Sequence, residues 1–337
     1  MDFRLDSDQQ ALRSAVKEFC NKEISSTVVR TAFDSPDGDS PEIFKKQAEL
    51  GWLGIAVPES AGGVGMGPIE QAIVCEELGY VDAPGPYFST ACLAIPGLVA
   101  LGADDLVGRL LDGSKRATVA WDLAHVVDAQ IADAFLVVDG DTAKWFERSE
   151  VDVTPLATVD GTRRLGSIMP KASGRELGPS TQLHYGFEAG PARACDAQAV
   201  YLCAEMVGLM RWALETTVQY LKDRQAFGVP IGTFQALQHR CADMLVQTES
   251  SSSATYYAAY AIANDLPDAA FGTSVAMSYA LDAAHFVTGQ CIQLHGGIGY
   301  TWEHDAHLYF KRATTNRQIL LDANYHRERI LALDPGA

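Results

Sequence analysis

Positive charge is scarce in this chain. Lys and Arg number 26 against 43 Asp and Glu, a formal net charge of −17 over 337 residues. A field of that sign repels nucleic-acid backbones and anionic lipid, so neither partner is expected. It leaves room for a small anion held by a few local arginines. Paired cysteines are also missing. Cys20, Cys75, Cys92, Cys195, Cys203, Cys241 and Cys291 form no C-x-x-C motif, and their number is odd. That excludes a disulfide framework or a zinc site and predicts reduced, mostly buried thiols in a cytoplasmic protein. No long apolar run occurs: "ACLAIPGLVALGA" is too short to span a bilayer and contains Pro96. "MDFRLDSDQQ" has neither a basic n-region nor an apolar h-region, so no signal peptide is expected, and the terminal "DPGA" is no lipidation box. A repeat of solenoid period is absent as well. "GGVGMG" (62–67) lacks the G-x-G-x-x-G spacing and follows no clear strand, which makes it a turn.

What is present is ordinary globular composition, 47% hydrophobic and 20% charged, on a chain long enough for two or three domains or one large one. The fold class is α+β and mainly α, in three parts. Residues 1–112 read as an N-terminal helical domain. "SDQQALRSAVKEFC" opens with Ser7 as N-cap and Gln10 three residues on, with Leu12, Val16 and Phe19 on one face. "SPEIFKKQAELG" carries Pro41 in its first turn and Gly51 past its end. "PIEQAIVCEELGYV" and "ACLAIPGLVALG" give two more helices. Residues 113–190 change to short β-branched pieces such as "ATVAWD", "AFLVVDG", "AKWFER", "VDVTPLATV" and "TQLHYGFEA". Asp139-Gly140 and Asp160-Gly161 punctuate them, so a small, mostly antiparallel β domain is predicted. Residues 191–337 hold three helical runs far above the usual length and a final pair, the pattern of a four-helix bundle. Ser250 to Ser253 fall inside one run and read as close helix packing, not a linker.

The chemistry concentrates in "DRQAFGVPIGTFQALQHRCADM", residues 223–244. Arg224 offers a planar fork of donors that matches a diphosphate. Phe227 can give a flat face to a heteroaromatic ring, and the Gln235 amide can donate and accept. Taken singly, the three are equally well a surface cation, a core ring and a solvated amide. The pattern R-x-x-F-G-x-x-I-x-x-F-Q followed by A-D-M, however, resembles the flavin-dependent acyl-CoA dehydrogenase family. So does "QLHGGIGYTWEHDAHLYFKRA", with its Q-x-x-G-G-x-G loop, and "LGWLGIAVPESAGGVGMGPIEQAIVCEELG" near the N-terminus. The likeness covers nearly the whole chain in the right order.

The resemblance implies an oligomer in which each FAD crosses a dimer interface. The ring lies in one subunit, and the adenine and diphosphate end lies on its neighbour. That second contribution matches Arg224, Phe227, Gln235, Gln293, Gly296 and Gly297 here. Two glycines without Cβ would let the backbone approach the cofactor. It further implies an acyl-CoA thioester substrate and an electron-transfer-flavoprotein-like acceptor.

Two family features are missing. The acidic-Pro-Gly-Ala-Gly-Ser-Asp segment and the Trp-Ile-Thr strand that wrap the flavin ring do not occur in "ATVAWDLAHVVDAQIADAFLVVDG". The β domain is therefore read as truncated. The glutamate base is absent too. Where many members carry it, the chain reads "NRQILLDANY", with Asp322 as the only acid. Where others carry it, Gln198 stands, and an amide is no general base. Glu205, two turns on and near the same face, and Asp322 are weak catalytic candidates against the simpler reading of paired or solvated acids. His295 reads as a structural histidine bonding its loop; His239 and His326 have no metal-ligand spacing. The reading that follows is the shortened partner subunit of an actinobacterial α2β2 acyl-CoA dehydrogenase, a subgroup that acts on steroid side-chain thioesters. Its rivals are a self-sufficient homomeric enzyme and a cofactor-free scaffold subunit.

Overall fold

A computed structural model describes residues 4–187 and 192–334. Six helices come first: α1 (Ser7–Glu23), α2 (Ser26–Asp34), α3 (Pro41–Glu49), α4 (Pro68–Tyr80), α5 (Ile95–Ala100) and α6 (Asp104–Leu111). The strands follow as β1 (Ala117–Ala120), β2 (Val126–Val127), β3 (Ala134–Asp139), β4 (Thr142–Glu147), β5 (Val151–Pro155), β6 (Leu165–Pro170) and β7 (Arg175–Pro179). The long helices are α7 (Ala194–Asp223), α8 (Gln235–Ala263) and α9 (Ala269–His295), with a small hairpin, β8 (Gln225–Ala226) and β9 (Val229–Pro230), between the first two. α10 (Ala306–Asn316) and α11 (Ala323–Leu333) end the described chain. The mainly helical class is as the sequence implied.

Several local expectations shift. The N-cap of α1 is Asp6, not Ser7: its carboxylate accepts from the Asp8 and Gln9 amides at 2.9 Å each, and Gln9 closes the capping box. A charged acceptor suits the positive end of a helix better than a hydroxyl. "ACLAIPGLVALG" is not one helix. Phe88–Ala94 winds as a π-helix and passes into α5, with Pro96 in its first turn. The helices α2 and α6 and the strands β6 and β7 carried no mark in the sequence pattern. "TQLHYGFEA" forms a 3₁₀ turn at Ser180–Leu183 and no strand among its described residues. The sheets run β1-β3-β4-β7 and β2-β6-β5, and only the β1–β3 pair is parallel. All seven cysteines are free, and six are buried.

In the bundle α7, α8 and α9 pack on one another, and α10 and α11 both close on α9. Thr217, Thr248, Ser251, Thr255, Thr273 and Thr288 are buried there, yet each hydroxyl bonds the carbonyl four residues back. Small polar side chains therefore sit inside the bundle without an unpaired donor. The tightest contact is between α4 and α7. A Cβ on Gly208 would lie 2.0 Å from the Glu76 carbonyl oxygen, and one on Gly79 would lie 2.1 Å from that of Glu205. Backbone meets backbone at this crossing.

That approach assembles a buried ion cluster from all three parts of the chain. Arg312 on α10 bonds Asp160 at 2.7 Å, Glu205 at 2.6 Å and Thr162 Oγ1 at 2.7 Å. Arg163 bonds the other Glu205 oxygen and Asn316 Oδ1, both at 2.7 Å, and lies 4.3 Å from the centre of the Phe88 ring. Asp82 stands 3.5 Å from Arg312 Nε, and neither of its buried oxygens has a hydrogen-bond partner. Three carboxylates thus face two guanidinium groups. Burial, only partly offset by Arg312, pushes the Asp82 carboxyl up to about 8, so it holds a proton at neutral pH.

Two outcomes follow. Gly208→Ala is expected to lose about 3 kcal/mol or more in urea unfolding, because the obstacle is a carbonyl and not a flexible side chain. Asp82 binds its proton more tightly folded than unfolded, against an ordinary value of 3.8. Its stabilising contribution is therefore complete at acid pH and is lost as pH rises through about 8. Asp82→Asn should remove that decline, and unfolding midpoints of the two proteins measured across pH 6 to 9 would show it as a flatter curve for the variant.

Candidate functional site

Two separate hollows concern function, and they share no lining residue. The first, about 480 Å³, lies where α7 ends, α8 begins and α9 ends. Tyr220, Arg224, Ile231, Arg240, Gln293 and the loop His295 to Gly297 line it. Arg224 is the C-cap of α7, and its backbone closes the turn onto Ile231. Its guanidinium has no ion pair among the described residues, and no Asp or Glu lines the hollow. Gly296 has φ +62 and ψ −138, a conformation other residues rarely hold. Added Cβ atoms on Gly296 and Gly297 would meet nothing within 4 Å, so the loop leaves this surface open.

Four of the six expected cofactor residues therefore meet: Arg224, Gln293, Gly296 and Gly297. Phe227 and Gln235 do not line the hollow. Gln235 is the first residue of α8 and is exposed. Phe227 and Gly228 form the tip of the β8–β9 hairpin, with φ +54 and +80, the two-residue turn with positive φ at both positions. Glycine takes that geometry freely, but Phe227 is held in it at a cost and is 95% exposed. A large ring kept in a strained position outside the core is free to stack on a planar group from elsewhere. Sequence reasoning missed Tyr220 and Arg240, which only the folding of α7 against α8 and α9 brings to the site. His295 bonds not its loop but the Cys291 carbonyl of its own helix, at 2.7 Å.

The second hollow, about 550 Å³, lies between the strands and the bundle. Val119, Val127, Leu165, Leu183, Ile319 and Leu320 supply apolar wall, and Tyr185 and Tyr325 add rings. Among the described residues its one carboxylate is Asp122, 3.2 Å from His125, and both are exposed. Partial burial acts against ionisation of Asp122, yet hydrogen bonds from the Ala124 amide and His125 hold its carboxyl below the usual range. A carboxylate so held is a poor base. The "NRQILLDANY" segment crosses this hollow with Leu320 and Leu321 at φ +60 and +72. Asp322 does not line it. Its side chain caps α11 by accepting from the Tyr325 amide at 2.8 Å.

Glu205 is fixed by the cluster described above. Burial works to raise its carboxyl, but Arg163 and Arg312 hold it below the usual range. Both oxygens are taken, and it does not line the second hollow. Asp196 is bound in the same way by Arg329 at 2.6 Å. Gln198 donates to the Leu93 carbonyl at 2.6 Å. The buried acids of α7 are thus structural partners of arginines.

The sequence matches the family model for the acyl-CoA dehydrogenase N-terminal domain over residues 6–114 and that for the C-terminal domain over 192–330. It is 35% identical over 319 residues to the acyl-CoA dehydrogenase IpdE2 of Mycolicibacterium smegmatis, covering 94% of this chain and 95% of that one. The chain belongs to the acyl-CoA dehydrogenase family. Among solved structures it resembles the ChsE4-ChsE5 complex from Mycobacterium tuberculosis, with a TM-score of 0.87 at 25% identity over 99% of this chain and 100% of that one. It also resembles a variant of the Tcur3481-Tcur3483 steroid ACAD, with a TM-score of 0.86 at 25% identity over 97% of each chain. The family is FAD-dependent, and the likeness to IpdE2, ChsE4-ChsE5 and the Tcur3481-Tcur3483 steroid ACAD supports its grouping with the shortened partner subunits of actinobacterial members. No helix among the described residues is long and apolar enough to cross a membrane.

The two acids make a clear prediction. Glu205→Gln should cost about 3 kcal/mol of stability in denaturant unfolding, because it leaves Arg163 and Arg312 short of a charge in a buried place. Asp322→Asn keeps a capping oxygen and should cost less than about 1 kcal/mol by the same measurement.

Proposed function

We propose that this chain is one subunit of a heteromeric, cytoplasmic FAD-dependent acyl-CoA dehydrogenase of α2β2 form, divided at 112/113 and 190/191 into the three parts read from its sequence. It contributes the diphosphate and adenine half of a shared FAD site, while a partner of the same family contributes the ring pocket and the base. The observation that carries this reading is the split between the two hollows. One offers an unpaired arginine and an open glycine loop, a donor set that fits a diphosphate. The other has, among the described residues, no acid but the exposed Asp122, which its hydrogen bonds make a poor base. Bound there, FAD supplies the hydride acceptor for oxidation of an acyl-CoA to its 2,3-enoyl-CoA.

The residues of this chain bind and orient. Arg224 neutralises the diphosphate, Gln293 bonds the nucleotide, and the absence of Cβ at Gly296 and Gly297 allows close approach. Phe227 and Gln235, at the hairpin tip and the start of α8, reach the adenine end from the rim. Exposed Val229, Phe234, Leu245 and Val246 on the same stretch give a partner an apolar surface to cover. Steroid-derived thioesters are the substrate class favoured by the likeness to the steroid ACAD among the solved structures. Reducing equivalents then pass to an acceptor resembling electron-transfer flavoprotein.

Flavin counting tests this. The chain alone should purify with little flavin, and the complex with its co-purifying partner should be yellow and oxidise acyl-CoA. Arg224→Ala should weaken FAD retention by the complex roughly ten- to hundredfold, the worth of a charge-assisted hydrogen bond. Full flavin occupancy and turnover in the isolated chain would reject the shared site. An Arg224→Ala complex with unchanged FAD content would favour a scaffold role.

A further inference from the structure

We propose that Arg240 is a second diphosphate-binding cation, which makes the first hollow selective for nucleoside diphosphate esters over monophosphates. The proposal rests on the shared-site reading above and adds to it a residue and a specificity. Arg240 lies on the second turn of α8 and lines the same concave surface as Arg224, which approaches from the end of α7.

Three observations carry it. First, neither guanidinium has a carboxylate partner among the described residues, in a chain of net charge −17. Most other arginines are matched with acids, such as Arg13 and Arg211 with Glu76 and Glu77, Arg317 and Arg327 with Asp282, and Arg329 with Asp196. Arg148, Arg164 and Arg193, which have no ion pair among the described residues, bond backbone carbonyls instead. Second, the one side-chain hydrogen bond of Arg240 among the described residues is to a neutral group, Nη1 donating to Gln290 Oε1 at 3.2 Å. That bond steadies the side chain without neutralising it. Third, no acid among the described residues lines the hollow, so the two like charges repel until an anion arrives. Two guanidinium forks can take one phosphoryl group each of a diphosphate, whereas a monophosphate leaves one fork without its own phosphoryl group. The bland alternative, a solvated cation on a helix face, accounts for the missing carboxylate but not for the convergence with Arg224 on one hollow.

The test uses the complex with its co-purifying partner and follows FAD binding by flavin fluorescence across a salt series. In wild type, ADP should displace FAD far better than AMP does. Arg240→Ala should weaken FAD binding about tenfold, lessen its salt dependence and shrink the gap between ADP and AMP. Arg240→Lys should recover part of the affinity, having the charge without the fork. The side chain is exposed, so the variants should fold. If Arg240→Ala leaves affinity, salt dependence and the ADP-to-AMP gap as they were while Arg224→Ala weakens binding, the second-cation proposal falls and the shared site stands. If neither variant changes FAD binding, both fall.

Discussion

The crossing of α4 over α7 is the constraint on which the rest of this structure depends. With hydrogen at Gly79 and Gly208 the two helix backbones touch. Only at that separation can Asp82, just past α4, reach the same small volume as Glu205 on α7. The loop holding Asp160 and Arg163 then closes from the strand side, and Arg312 from α10. Ions buried this deeply are tolerable because each guanidinium has several oxygens to bond. The surplus carboxylate, Asp82, stays neutral by keeping its proton. One packing contact thus fixes how the helical segments and the strands are joined.

The same cluster decides the chemistry by subtraction. A carboxylate locked between two guanidinium groups is a weak base, and Glu205 is spent on structure. Asp196 is spent likewise on Arg329, and Asp322 on a helix cap. Among the described residues only the exposed Asp122 is an acid lining the hollow between strands and bundle. The hollow itself is apolar and roomy, with Leu320 and Leu321 in left-handed geometry along its wall.

The other hollow is turned outward. Arg224, Arg240 and the Gly296-Gly297 loop form an open dish, and Phe227 stands off the hairpin beside it. Exposed rings, strained φ and unmatched cations are costly in an isolated subunit. They are consistent with a surface completed by something else. The proposed division of labour between two related chains would account for both hollows at once, with this one gripping the tail of a cofactor and its partner performing the reaction.

The sequence by itself determined the fold class, the order of helices, strands and bundle, and the family, because helical periodicity and the long motifs around Arg224 and Gly296 are local patterns. It also showed the missing glutamate, since a residue absent from a sequence is absent from any fold. Ser7 and Asp6 were confused because a capping oxygen one residue earlier satisfies the same pattern. The π-helical entry to α5 was missed because neither its hydrogen-bond spacing nor its packing is written in hydrophobic period. Only the tertiary structure decided what Glu205 does, which described acids line the hollow, and that Arg240 and Arg224 line the same hollow. Each of those is a matter of which side chains from distant segments share a volume, and backbone contact at two glycines, not local propensity, sets that.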